Sequence, residues 1–526
     1  MNSSVSGVVV DAGEGGTSII PVVCVCCASE CEAEDVAKFR AQVKEKIVPL
    51  CLELRKEQEK RLGVDRLHYY DEELIFPEGN AVPEGTMEEL VAKAQKMYHE
   101  LSKETGEFFD FMVEHELFDL ETRPGKQTGG YCTFLNTFKA PFIFSNFNGT
   151  SADVDVLTHE AGHAFEAYTA AKQIPFMDMV FPTSEVAEIH SMTMEHFAYP
   201  WMNAFFGEKA DDYRYAHLMS ALEVIPYMVC VDEFQHKVFE NIGMTAKERR
   251  AIWHQLELTY MPWRNYDGHK FLEEGGFWMQ KQHIFVNPFY YIDYALAQIC
   301  AFQFFERFKK EPEKAWGDYY RLCQAGGSKG YFALLELAGL KNPFVDGTVE
   351  EVVAGLKPYL KRKVKYTIRP VKEEDLKKVA EVEALCFPAA EAAGYEDFME
   401  RYKTCKNSFF VAETEDGEIA GFCNGCCADT DYLADALYHD ATLHNPDGDY
   451  QMIFGLDVNP KFQKQGIGEA LMRHMVKSAG ERDKKAVVLT CKDHMIPFYK
   501  RIGYEYIELS DSTHGGAKWH KMMYRF

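Results

Sequence analysis

The sequence predicts two domains, a mainly α-helical one over residues 33–360 and an α/β one over residues 366–526. Three observations carry this. Apolar residues recur every three or four positions through the first stretch, the period of packed helices. The basic run Lys361-Arg362-Lys363-Val364-Lys365 then interrupts that pattern and reads as a solvated linker. Beyond it, strand-like and helical segments alternate to the end. At about 100–200 residues per domain, 526 residues also require more than one folding unit.

Residues 1–32 have no amphipathic period and read as an irregular leader. From Ala33, the apolar positions Val36, Phe39, Val43 and Ile47 form a helix stripe. The spacing predicts long helices over Met87–Phe111, Ser184–Phe206, Asp211–Asn241 and Tyr290–Lys309. Tyr131–Asn146 breaks this pattern. Its Phe134, Phe138, Phe142 and Phe144 are too aromatic for a surface loop, and it reads as strand. After the linker, Tyr366–Val371 reads as a strand, and Glu373–Cys386 and Tyr395–Thr404 as helices. Ser408–Glu413 and Glu418–Cys423 read as strands flanking the turn Asp416-Gly417. Ala486–Thr490 is a further strand, and Pro497–Tyr504 a helix end with its turn.

Lys and Arg total 57 against 82 Asp and Glu, a formal charge of −25. Such a chain is ill suited to nucleic acid or an anionic membrane. No apolar run reaches the roughly 18–20 residues of a membrane helix, and no Lys or Arg precedes Lys38 to make a secretion signal. A cytoplasmic protein is expected. The 15 Cys fit it, scattered in apolar contexts as reduced thiols. The clusters Cys24, Cys26, Cys27, Cys31 and Cys423, Cys426, Cys427 lack the paired partners of a zinc ribbon.

His159-Glu160-Ala161-Gly162-His163 is the strongest chemical signal. Two His four residues apart share one helix face, so both imidazoles can reach one metal ion. The adjoining Glu160 can act as general base on a water that the metal activates. A catalytic zinc needs a third protein ligand. Glu185, Glu188, His190 and Glu195 are the downstream candidates, and a helix antiparallel to the first would bring one of them back.

These residues resemble the thimet oligopeptidase and oligoendopeptidase F family of zinc peptidases. The resemblance selects Glu188, 25 residues past His163, as third ligand, with Glu195 as an outer carboxylate. Gly129-Gly130-Tyr131-Cys132 and Phe142–Thr150 resemble the family's edge strand. His283 and Pro288–Tyr294 resemble its substrate-binding segment, and Ala325–Ser328 with Pro343-Phe344 its close. It implies a zincin-type catalytic domain over residues 33–360 that hydrolyses short peptides. Zn2+ would be held by His159, His163 and Glu188, and Glu160 would be the base. His283 and one of Tyr290, Tyr291 or Tyr294 would steady the oxyanion. Members carry a long helical region ahead of this part. The peptidase is therefore expected to be N-terminally truncated, and a separate chain could supply the missing cleft wall. The alternative is a zinc-stabilised scaffold or peptide-binding module, with activity confined to the second domain.

In that domain, Leu456-Asp457-Val458 runs through Gln463-Lys464-Gln465-Gly466-Ile467-Gly468 into the helical Glu469–Ser478. A strand meets a Gly-bearing turn that opens a helix, where first-turn N–H groups can hold a pyrophosphate. With Pro497-Phe498-Tyr499, this resembles the GNAT acetyltransferases. The likeness implies acetyl-CoA on Leu456, Val458, Gln463, Lys464, Gln465, Gly466, Ile467 and Gly468, with Tyr499 as the acid that protonates the departing thiolate. Leu443-His444, Cys491 and His514-Gly515-Gly516 bring it nearest to the serotonin (arylalkylamine) N-acetyltransferases, so a small amine is the expected acceptor. Where those enzymes carry paired His, this chain has Met452 and Phe454. His444, His494, His514 and Asp457 remain as unassigned candidates for the base.

Overall fold

The computed structural model describes residues 5–9, 19–23, 31–361, 364–388, 392–414, 417–432, 437, 440, 443–463, 465–511 and 518–526. The chain divides into two compact units between residues 362 and 363. Most of the expected leader, including Cys24, Cys26 and Cys27, lies outside the described residues, as do part of the linker, Asp416, Lys464 and His514-Gly515-Gly516. Within the leader, β1 (Val5–Val9) and β2 (Ile19–Val23) pair antiparallel.

The expected stripe of Val36, Phe39, Val43 and Ile47 is fully buried. It spans α1 (Ala33–Gln42) and the π-turn Val43–Ile47 that leads into α2 (Val48–Leu62). The helix expected over Met87–Phe111 is two, α3 (Met87–Leu101) and α4 (Lys103–Glu114). Between them Ser102 takes an extended backbone, and its hydroxyl accepts the Thr105 N–H at 3.0 Å. A cap of this kind contributes about 1 kcal/mol. Both helices bury aromatic and apolar side chains in one core (Met97 and Tyr98 from α3, Phe108 and Phe109 from α4), so the apolar period runs across the break.

The aromatic interval is a small sheet of β3 (Phe118–Asp119), β4 (Tyr131–Leu135) and β5 (Ala140–Phe144), ordered β3-β5-β4. Phe138 is an exception to its reading as strand: it lies in the β4–β5 turn and is 76% exposed. Against this sheet packs α5 (Ala152–Gln173), followed by α6 (Ser184–Phe197). The helix expected to reach Phe206 stops at Phe197, because Pro200 opens a short 3-10 turn ahead of α7 (Met202–Phe206). Then come α8 (Ala210–Glu240), unbroken through Pro226, α9 (Ala246–Tyr260), the short α10 (His283–Val286) and α11 (Tyr291–Lys310). Helices α12 (Pro312–Ala325), α13 (Tyr331–Leu337) and α14 (Thr348–Leu356) complete one continuous core.

The second unit is a seven-stranded sheet with helices on both faces. It runs β6 (Tyr366–Pro370), α15 (Leu376–Cys386), α16 (Tyr395–Cys405), β7 (Phe409–Thr414), β8 (Ile419–Ala428) and β9 (Tyr450–Val458). It closes with α17 (Ile467–Glu481), β10 (Ala486–Cys491), α18 (Ile496–Ile502), β11 (Glu505–Leu509) and β12 (His520–Arg525). The order is β11-β12-β10-β9-β8-β7-β6, antiparallel except for β9 and β10. One face packs α17 and α18, the other α15 and α16. Cys423, Cys426 and Cys427 are buried free thiols on β8. Among the described residues no helix is long and apolar enough to cross a membrane.

Candidate functional sites

His159 and His163 lie one turn apart on α5, their rings 5.0 Å apart. Helix α6 runs beside α5 closely enough that a Cβ on Gly162 would meet Ser191 Cα at 2.7 Å and His190 O at 2.8 Å. Glycine at that position is what lets the two backbones approach. The approach sets Glu188 Oε2 at 3.5 Å from His159 Nε2 and 3.4 Å from His163 Nε2. Ligands about 2.0–2.1 Å from a tetrahedral zinc lie about 3.3–3.4 Å from one another. The three donor atoms fall within 4.8 Å of one another, so a His2Glu zinc site fits these residues.

The groups behind the donors fix their aim. His159 Nδ1 meets Glu195 Oε1 at 2.5 Å, which leaves Nε2 toward Glu188. The other Glu195 oxygen is 2.8 Å from His217 Nε2, and His217 Nδ1 meets Tyr199 Oη at 2.7 Å. On the metal side, Glu188 accepts the Tyr290 hydroxyl at 2.6 Å and the Ser191 hydroxyl at 3.0 Å. Burial opposes the Glu188 carboxylate, but His163 and His159 outweigh it and hold its pKa well below the ordinary carboxylate range. Burial likewise opposes protonated His159, and Glu188 and Glu195 outweigh it, raising that pKa.

Glu160 is buried on the same helix. It helps push the Cys132 thiol on β4 upward, though burial is the main cause. The ring of His283, on α10, lies 6.1 Å from Tyr290, 5.1 Å from Tyr291 and 6.2 Å from Tyr294. Burial lowers the His283 pKa, and Lys281 adds to this. The tyrosines differ in their partners: the Tyr290 hydroxyl is on Glu188, whereas Tyr291 accepts from Lys281 at 2.9 Å.

In the second unit, β9 and β10 pair from Tyr450↔Ala486 to Met452↔Val488 and no further. Beyond that point lies a cavity of about 980 Å3. Leu456, Val458, Gln463, Gly466, Ile467 and Gly468 line it, with Tyr499 from α18. Gly466 has φ +85° at the start of α17, a left-handed conformation that favours glycine. Gln463 holds the turn by donating Nε2 to Val458 O at 3.1 Å. Gln465 is not in the cavity wall, because its Oε1 accepts the Val364 N–H at 2.8 Å.

Comparison with known proteins sorts the two units. The profile of peptidase family M3 matches residues 30–353. The chain belongs to peptidase family M3. The acetyltransferase (GNAT) family matches residues 376–504, so an M3 domain is followed by a GNAT domain. An oligoendopeptidase F homolog of Borreliella burgdorferi is 24% identical over 302 residues, 56% of this chain and 50% of that one. A solved structure of PZ peptidase A with an inhibitor is 51% identical, with a TM-score of 0.62 over 64% of this chain and 59% of that one. Serotonin N-acetyltransferase of Mesocricetus auratus is 27% identical over 112 residues, 21% of this chain and 53% of the relative. The chain thus spans about half the length of the oligoendopeptidase relative it matches.

In the M3 domain, the anticipated His159, His163 and Glu188 converge, with Glu195 behind them and Tyr290 in front. His217, Tyr199, Asp155 and Tyr213 were not anticipated. Asp155 precedes His159 by one turn and accepts the Tyr213 hydroxyl at 2.6 Å. An acid one turn ahead of a metal-binding pair was the available signal. In the GNAT domain, His494 and Asp457 line the cavity, whereas His444 accepts the Cys427 N–H at 3.0 Å away from it. Phe454 lines the cavity, and Met452 is buried in the core. Glu383, Asp397 and Arg401 also line it, from α15 and α16. Glu383 continues the buried Leu376 and Val379 spacing of α15, an acid on an apolar stripe that could have marked it.

Proposed function

We propose that the M3 domain is a zinc-dependent oligopeptidase and the GNAT domain an acetyl-CoA-dependent N-acetyltransferase of small amines. The convergence of His159, His163 and Glu188 beside Glu160 carries the first half. Zinc held there would activate water and polarise a peptide carbonyl. Glu160 takes the proton of the attacking water and passes it to the leaving amine. His283, and Tyr290 once its hydroxyl turns from Glu188, donate to the oxygen on which charge develops. Edge strand β4 supports the binding of short extended peptides, since it pairs with β5 on one side of a three-stranded sheet.

The cavity at the β9–β10 opening carries the second half. Gly466 and the first turn of α17 offer backbone N–H groups to a pyrophosphate. Tyr499 is 7% exposed in the cavity wall, placed to protonate a thiolate leaving group.

A quenched fluorogenic peptide, incubated with the full chain, tests the peptidase. Cleavage should stop on chelation, return on adding zinc, and be absent in Glu160→Gln that still binds zinc. Cleavage that survives chelation would overturn the zinc assignment. Thiol release from acetyl-CoA over an amine panel tests the second activity, with Tyr499→Phe expected to lower it.

A further inference from the structure

The GNAT cavity holds a pair of acids that the reading above leaves without work. Asp457 lies on β9 and Glu383 on α15, and both line the cavity. Asp457 is 1% exposed and Glu383 6%. Among the described residues, neither Asp457 oxygen nor Glu383 Oε2 has a hydrogen-bond donor. Cys386, which adjoins them, gives its S–H to Val458 O at 3.3 Å. The other Glu383 oxygen accepts the Ala393 N–H at 3.0 Å. Glu383 and the Cys386 thiol are the hydrogen-bonding neighbours that act on Asp457.

Their free oxygens converge on a definite place. Strand β9 carries a bulge here: Asn424 pairs with Gly455 and Gly425 with Ile453, so Phe454 is the extra residue. Gly455 leaves this side of β9 without a side chain. A Cβ built on it would lie 3.1 Å from Asp457 Oδ2, 3.3 Å from Asn424 Nδ2 and 4.0 Å from Glu383 Oε2. The side of β9 at Gly455 therefore faces both acids, and a side chain there would crowd Asp457. Phe387, Phe454 and Trp519 add aromatic surface to the cavity.

We propose that Asp457 and Glu383 form the acceptor site of the GNAT domain, binding a substrate ammonium from the cavity beside Gly455 and taking its proton. This rests on the acetyltransferase reading and names the base for it. The ammonium gives one N–H proton to the carboxyl pair, and the neutral nitrogen attacks the thioester carbonyl carbon. As the C–S bond breaks, the thiolate takes a proton from Tyr499. The second N–H proton of the tetrahedral adduct restores Tyr499, and the pair returns its own proton to solvent. Products are the amide, the free thiol and one released proton.

The surroundings suit this work. Burial raises the pKa of both groups, that of Asp457 to about 9, and the neighbouring Glu383 adds to the rise on Asp457. A pair sharing one proton carries one negative charge, which attracts a substrate ammonium. The other ionisable groups facing the pair are Cys386 on α15 and Asp397 and Arg401 on α16. Asp397 caps α16 through the Gly394 N–H at 2.7 Å. Arg401 donates to Asn424 Oδ1 at 3.1 Å and lies 4.9 Å from the Phe454 ring, and its charge limits the rise.

Steady-state transfer by the full chain, with 2-phenylethylamine and an aniline-type amine as acceptors, tests this. The first is an ammonium at neutral pH and the second is already neutral. Asp457→Asn should lower kcat/KM for 2-phenylethylamine by about 100-fold or more, and for the arylamine by less than about 5-fold. Glu383→Gln should act in the same direction, and Gly455→Ala should raise KM for 2-phenylethylamine by about 10-fold by crowding Asp457. Acetyl-CoA binding, read by calorimetry, should be unchanged in all three, which shows them folded. Equal loss for both amines, no loss for either, or a wild type that accepts the arylamine alone would overturn the acid pair while leaving the acetyltransferase standing. A wild type that binds no acetyl-CoA and acylates neither amine would overturn both.

Discussion

Tyr290 donates its hydroxyl to Glu188 Oε1 at 2.6 Å, while Glu188 Oε2 faces both zinc-site histidines. One carboxylate is therefore shared between a hydroxyl donor and the metal position. Groups that orient a ligand usually contribute 10–100-fold to metal affinity. Tyr290→Phe should weaken zinc binding by about 10-fold in competition with a chromophoric chelator. Unchanged affinity would show that Tyr290 leaves Glu188 when zinc binds, freeing its hydroxyl for substrate.

On the opposite side, Glu195 links His159 to His217. Glu195→Gln retains the size but replaces one acceptor oxygen with an NH2 donor. His159 then loses its charge-assisted partner. Zinc affinity should fall by about 10–100-fold, with cleavage of a fluorogenic peptide restored at high zinc. Loss of activity that zinc cannot restore would mean that Glu195 acts on substrate rather than on His159.

The degree to which the sequence discloses these sites follows from how local each signal is. The His159–His163 pair is legible because two side chains four residues apart must share a helix face, whatever surrounds them. Glu188 is not legible in that way. Glu185, Glu188 and Glu195 all lie on α6, and the packing at Gly162 decides which of them meets Nε2. Residue spacing could not separate them, and the resemblance did. The break at Ser102 was missed because α3 and α4 bury the same core, so periodicity runs through it. Glu383 was missed because an acid within an apolar stripe is informative only once Asp457 is seen opposite. Helix α16 and strands β7 and β8 lie between those acids, which are more than 70 positions apart in sequence.

Gly162 offers a test of the helix contact itself. A methyl there meets backbone atoms of α6 at 2.7 and 2.8 Å, and backbone cannot rotate aside. Gly162→Ala should destabilise the M3 domain by about 1–3 kcal/mol in urea unfolding. It should also weaken zinc binding, since moving α6 displaces Glu188. Full stability with full zinc affinity would show that the helices can separate without moving the ligand.

The GNAT domain contains an ion pair whose pH dependence has a definite sign. Arg369 on β6 grips Asp375 with two bonds, Nη1 to Oδ2 at 2.7 Å and Nη2 to Oδ1 at 3.0 Å. Its Nε binds Glu413 on β7 at 2.6 Å. Burial opposes the Asp375 carboxylate, but the Arg369 bonds and the Lys372 N–H outweigh it and lower its pKa. For Glu413 the Arg369 bond is the leading cause of a lowered pKa. A carboxyl depressed on folding stabilises the fold at all pH values above its unfolded pKa, about 3.9 for Asp and 4.3 for Glu. That contribution disappears as pH falls through the lower folded value. Asp375→Asn should therefore cost the GNAT domain about 2–3 kcal/mol at pH 7. The gap between variant and wild type should close below about pH 4. Urea unfolding at pH 7, 5 and 3, with hydrogen exchange in the β6 and β7 peptides locating the loss, checks both the size and the sign. A gap that persists undiminished at pH 3 would assign the stabilisation to packing around Asp375 rather than to its charge.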